Sequence, residues 1–164
     1  MGLDMFLTKK KKDVEIDIEK ETYEDWKSRE LLYWRKANAI HKWFVDNIQD
    51  GKDDCNAYPV SREKLVELRN ICNKILNEVH LVPSGKTYKV YDYKLDKEVE
   101  EPEMLIDNFE LCDELLPTQE GFFFGGTSYD EYYYDQVKYT RDGINEILEK
   151  VDFDEFDIEY ESSW

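Results

Sequence analysis

The sequence predicts a single α+β domain over residues 1–164, with about three helices packed on a mainly antiparallel sheet. Three observations predict it. Residues 13–19 (DVEIDIE) and 156–161 (FDIEYE) alternate apolar and acidic side chains, the period of two expected for a half-buried strand. Three other segments repeat apolar residues at spacings of three and four, the mark of a helix with one buried face. Finally, 164 residues at 41% hydrophobic content suffice for one core, and neither an internal repeat nor a linker divides the chain.

In chain order, GLDMFLT (2–8) reads as a short strand, followed by the basic run KKKK (9–12) and the strand DVEIDIE. A long helix is expected from Tyr23, or from near Ser28, to Ile48, with Tyr33, Ala37, Ile40, Phe44 and Ile48 as its inward stripe. Gly51 can take the left-handed conformation that ends it. Pro59 places AYPV (57–60) at a sheet edge. Ser61 caps a second helix, on which Leu65, Leu68, Cys72, Ile75, Leu76 and Val79 share one face. KTYKVYDYKL (86–95) alternates like a strand, and residues 96–114 read as a loop with at most a short helix. GFFFGG (121–126) is expected as an aromatic strand buried on both faces. Ser128 and Glu131 have capping-box spacing and open a third helix, with Tyr133, Val137, Thr140, Ile144, Leu148 and Val151 inward. The terminal FDIEYESSW is a strand with Phe156, Ile158 and Tyr160 on one face and Asp157, Glu159 and Glu161 on the other.

Charge restricts the partners. Acidic residues number 39 against 22 basic, a net charge of −17, so phosphate backbones and anionic membranes are repelled at long range. Neither direct nucleic-acid binding nor membrane association is expected; a basic surface on another protein is the attractive counterpart. Cys55, Cys72 and Cys112 make an odd set with no C-x-x-C pair, which fits reduced thiols and a cytoplasmic setting. No signal-peptide core and no run of about 18 apolar residues is present.

Two groups of residues are candidates for function. On the expected first helix, Trp34, Asn38 and His41 lie beside the apolar stripe, at the border of the core. Together with Tyr33 and Arg35 they would form either a satisfied packing cluster or an aromatic ligand pocket. The carboxylates Asp13, Glu15, Asp17 and Glu19, and Asp157, Glu159 and Glu161, form two rows with a same-face repeat of about 6.7 Å. These rows are either solvated faces or a docking surface for a basic partner, including mimicry of a nucleic-acid phosphate row. Should the rows be neighbours, their repulsion would need basic side chains between them, which Lys9 to Lys12 could supply. No catalytic set is legible, since spacing does not bring Cys55 to His41. Asp50, Asp53 and Asp54 lack the register of a calcium loop, and His41 and His80 have no partner at zinc spacing, so neither metal nor cofactor is expected. Gly125-Gly126-Thr127-Ser128 lacks the G-K-[ST] of a phosphate loop and reads as a structural turn.

The strings MGLDMFL, YWRKANAIHKWF, DDCNAYPVSREKL and ELLPTQEGFFFGGTSYDEYYYD, in that order, resemble a family of small proteins encoded by bacteriophages and prophages. The resemblance implies a phage source and the cytoplasm of a bacterial host, without implying a catalytic residue. It does not extend to the acidic segments 96–114 and 152–161. The leading expectation is an accessory protein that binds a basic surface of a host protein, as an inhibitor of a defence or nucleic-acid enzyme. The alternative is a small-ligand- or nucleotide-binding protein, or an enzyme, with its pocket around Trp34, Asn38 and His41.

Overall fold

The computed structural model describes residues 2–17 and 19–164. Strand β1 (Asp4–Lys11) turns Met5 and Leu7 into the core and runs on through the lysines. It pairs antiparallel with β2 (Glu30–Arg35) on one side and with β6 (Phe156–Ser163) on the other, and β6 also pairs with the short β3 (Tyr58–Val60). The resulting four-stranded sheet has the order β2-β1-β6-β3. Strands β4 (Leu81–Asp92) and β5 (Lys97–Ile106) form a separate antiparallel ribbon. The expected α+β architecture with antiparallel sheets is the one observed, with five helices among the described residues where about three were expected.

The helices sort by sheet face. Met5, Leu7, Leu32, Trp34, Ile158 and Tyr160 point to the inner face. There α2 (Asn38–Asn47), α3 (Arg62–Glu78) and α5 (Glu131–Lys150) contribute Ile40, Phe44, Leu68, Ile75, Val137 and Ile144 to one core. Phe44 stacks on Tyr160 with centroids 3.9 Å apart. On the outer face α1 (Tyr23–Arg29) sets Trp26 edge-on to Phe6 at 5.1 Å. The short α4 (Phe109–Leu115) follows β5 and buries Cys112. Gly143, inside α5, is required by close approach: a Cβ there would lie 2.5 Å from Leu32 Cδ1. Among the described residues, no helix is long and apolar enough to cross a membrane.

The expected helix from Tyr23 to Ile48 is instead helix, strand, helix. Residues 30–35 (ELLYWR) also satisfy a period of two, with Leu32 and Trp34 buried and Tyr33 and Arg35 exposed, and β1 offers them a full backbone partner. Lys36, at φ 56°, turns the chain into α2. Tyr33 therefore does not share a stripe with Ala37 and Ile40. The end of α2 is as expected: Gly51, at φ 76°, donates its N–H to Val45 O.

Among the described residues of DVEIDIE there is no strand. Asp13, at φ 61°, leaves β1 in a turn, Val14 is 48% exposed, and Ile18 lies outside the described residues. The strand passes instead through the lysine run, because β6 supplies the countercharge. Lys10 faces Asp157 in register, Lys11 pairs with Glu155 at 3.3 Å, and Lys9 lies over the Phe156 ring. The region after Asp96 is not mainly loop either. Asp96, at φ 51°, closes a turn and β5 returns along β4, with Lys89 and Glu98 joined at 3.5 Å; the short helix follows as α4.

GFFFGG forms a turn rather than a doubly buried strand. Phe123 (φ 61°) and Gly125 (φ 93°) curl the backbone, Phe124 alone is buried, and Phe122 is 79% exposed. The third expected helix exists, but its cap is Asp130, whose carboxylate accepts from Tyr133 N, not Ser128 with Glu131. Backbone pairing of Leu105 with Asp130, and of Ile106 N with Tyr129 O, holds that stretch extended and moves the helix start two residues on. Ser61 caps α3 as expected, accepting from Lys64 N.

Candidate functional site

Asn38 opens α2 and faces the 118–127 loop. Its side-chain N–H groups donate to Phe124 O (3.2 Å) and Gly126 O (2.8 Å), and its Oδ1 accepts from Gln119 N (3.0 Å). An amide has both donors and an acceptor to offer, and here all are used to clamp one loop against a buried helix end. A cavity of about 20 Å³ lies beside it, lined by Lys36, Thr118, Ser128 and Tyr132 among others, with room for about one water.

One turn further along, His41 is fully buried between two partners. Nδ1 lies 2.7 Å from the Tyr160 hydroxyl and Nε2 3.0 Å from Asp53 Oδ1. A carboxylate only accepts, so Nε2–H donates to Asp53 and Nδ1 accepts from Tyr160 in the neutral ring. Asp53 Oδ1 also accepts from the Trp164 indole at 3.1 Å. Burial lowers the His41 pKa below its ordinary 6.5, and the Asp53 carboxylate only partly opposes that shift. Below pH 6.5 the unfolded chain therefore binds a proton that the folded chain refuses. The His41 contribution to stability is complete above 6.5 and declines as pH falls towards the lowered folded value. The His41 ring resonances should accordingly show no titration midpoint at or above 6.5; a midpoint there would mean that the ring is not held neutral by burial.

Trp34 completes the inner set. It is 1% exposed and donates its indole N–H to Thr140 Oγ1 at 2.8 Å. Tyr33 and Arg35 point to the opposite face of the sheet, where both reach the Asp4 carboxylate, Arg35 at 3.1 Å. The five residues of the alternative pocket are thus divided between two sheet faces. Trp34, Asn38 and His41 are each buried with polar partners. The thiols take no part: burial pushes Cys72 up to about 12 and Cys112 to about 11, and His41 meets Asp53 rather than Cys55.

The carboxylates are differently disposed. Asp157, Glu159 and Glu161 share the outer face of β6, opposite Lys10, Thr8 and Phe6 of β1. Asp157 is exposed, with Lys12 Nζ 4.0 Å away. Glu161 is half-buried. Its pKa is raised, chiefly by burial and further by Glu159 and Glu21, while Arg29 of α1 opposes the shift. Asp13, Glu15, Asp17 and Glu19 are exposed on the connection from β1 to α1, and Asp17 pairs with Lys20 at 2.7 Å. They do not form a second strand row. Asp157 faces the lysine run of β1 instead.

Asp53 and Tyr160 were not legible as partners of His41, because they lie 12 and 119 residues from it. The only local signal was a polar residue, Asp53, beside a helix end. Among the described residues no cluster of His, Cys, Asp and Glu could hold a metal ion. Comparison with protein-family models, with curated proteins and with solved structures finds no match.

Proposed function

We propose that this chain is a phage-encoded accessory protein that acts in the host cytoplasm by binding a basic surface on a host protein. In this reading its carboxylates take the place of a nucleic-acid backbone and inhibit a defence or nucleic-acid enzyme. The supporting observation is the distribution of charge. A net −17 is carried on a small domain, and Asp13, Glu15, Asp17, Glu19 and Asp157 all remain exposed. The polar side chains that would line an aromatic pocket are instead consumed by internal hydrogen bonds. The resemblance to phage proteins supports the setting, and carboxylate surfaces give both steering and selectivity towards cationic partners.

Such a complex is salt-sensitive. A host protein captured by the chain at about 0.05 M salt should be released at about 1 M, where the Debye length falls to about 3 Å. Nucleic acid should compete for the same partner. A complex indifferent to salt and to nucleic acid would remove the basis of the proposal.

A further inference from the structure

Among the described residues, backbone bonds tie the β4–β5 ribbon to the body at its base. There Leu81 pairs with Ile106, Ile106 N donates to Tyr129 O, and Leu105 bridges to Asp130. Isolated two-stranded ribbons are marginal in water, and this one leaves Tyr88, Tyr91, Tyr93 and Leu95 exposed. Between the ribbon and the first turns of α5 lies an open cleft of about 440 Å³. Its walls carry Tyr88 and Glu103 from the ribbon, and Asp130, Glu131, Tyr132 and Asp135 from the α5 side.

The chemistry of this cleft is specific. Tyr88 and Tyr132 are 44% and 49% exposed, so each offers aromatic surface from an opposite wall. Among the described residues, none of the four carboxylates has a Lys, Arg or His within ion-pair distance, whereas Asp157 and Asp17 do. One oxygen of Asp130 caps α5 and one of Glu103 accepts from Ser84, which leaves further acceptors facing outward. The acids are too dispersed to converge on one metal ion. Dispersed carboxylates with aromatic walls suit an organic cation, whose charge can lie over a ring while its N–H groups reach an acid. Among the described residues, the outer edge of β5 is bridged at its end, by Leu105 and Ile106 to Asp130 and Tyr129, so an extended backbone can approach alongside the rest.

We propose that the cleft between the β4–β5 ribbon and the start of α5 seats a lysine- or arginine-bearing extended segment of a partner protein, with the cation between Tyr88 and Tyr132. The proposal rests on the acidic-partner reading and assigns it a location away from the outer face of the main sheet. There the β1 lysines and Arg29 already offset Asp157 and Glu161.

The test uses the full chain and a short synthetic peptide of alternating lysine and arginine at about 0.15 M salt, where the Debye length is about 8 Å. Affinity is measured by calorimetry, and the contact is located by amide chemical shifts. Glu131→Gln with Asp135→Asn should weaken binding about tenfold, as expected for lost charge-assisted contacts worth about 1.4 kcal/mol. Tyr88→Ala should weaken it about threefold while Tyr88→Phe does not, since the ring and not the hydroxyl faces the cation. Asp157→Asn with Glu159→Gln should change it less than about twofold, as rim charges do. Equal weakening by the two acid pairs, or shifts centred on β6, would overturn the cleft while leaving the acidic-partner reading in place. No binding even at about 0.02 M salt, where screening is weakest, would remove both. Amide shifts of the unbound variants, unchanged in the core, show that they fold.

Discussion

Replacing Trp34 by alanine is expected to cost about 3–5 kcal/mol, the range for deleting a large aromatic from a close-packed core. The side chain is 1% exposed, meets Phe44 edge-on at 6.0 Å and donates to Thr140. Its loss opens a cavity where the sheet meets α2 and α5. A domain of this size has about 5–15 kcal/mol in total, so the variant should be near the limit of folding. Its thermal midpoint should fall by about 10 °C or more. Trp34→Phe keeps most of the volume but removes the donor and part of the ring, so it should cost less, about 1–2 kcal/mol. Urea unfolding of both variants decides the matter. A loss below about 1 kcal/mol for Trp34→Ala would show that the residue does not support the core and would reopen the ligand-pocket reading.

Asn38→Ala is expected to cost about 2–4 kcal/mol, because it removes three hydrogen bonds and leaves the carbonyls of Phe124 and Gly126 without this donor. The effect should be partly local. Hydrogen exchange at Gln119 N–H, which loses its acceptor, should accelerate more than at the amides of α3. Asn38→Asp separates donor from acceptor roles. It retains an acceptor for Gln119 but points a carboxylate at two carbonyl oxygens, so above the carboxylate pKa it should be the more damaging change. Lowering the pH should bring it back towards Asn38, as a protonated acid again donates. Equal exchange in all three proteins would mean that the loop is held by its aromatic contacts and not by the clamp.

Legibility in the sequence followed the range of the interactions. Helix α3 could be read residue by residue because its cap and its buried face are both local: Ser61 to Lys64, and Leu65 to Ile75. The face of β6 was equally plain, since alternation survives whatever its neighbours are. Where two periodicities fitted the same letters, local pattern failed. Residues 30–35 fit a helical stripe and a strand, and pairing with β1 decided for the strand. DVEIDIE alternated more cleanly than KKK, yet the lysines joined the sheet because β6 presents Asp157 across from Lys10, a contact nearly 150 residues away in sequence.

The candidate sites divide in the same way. Sequence alone determined an acidic chain with an α+β pattern of helices and alternating strands, because net charge and amphipathic period are sums over residues that need no coordinates. Only the tertiary structure decided that Trp34, Asn38 and His41 are buried and paired, because the groups that satisfy them, Thr140, the 118–127 loop, Asp53 and Tyr160, come from distant segments. It also decided which carboxylates are neutralised and which stand open. That depends on whether folding brings a lysine across from an acid, as at Asp157, or leaves a cleft between a ribbon and a helix, as at Glu131 and Asp135.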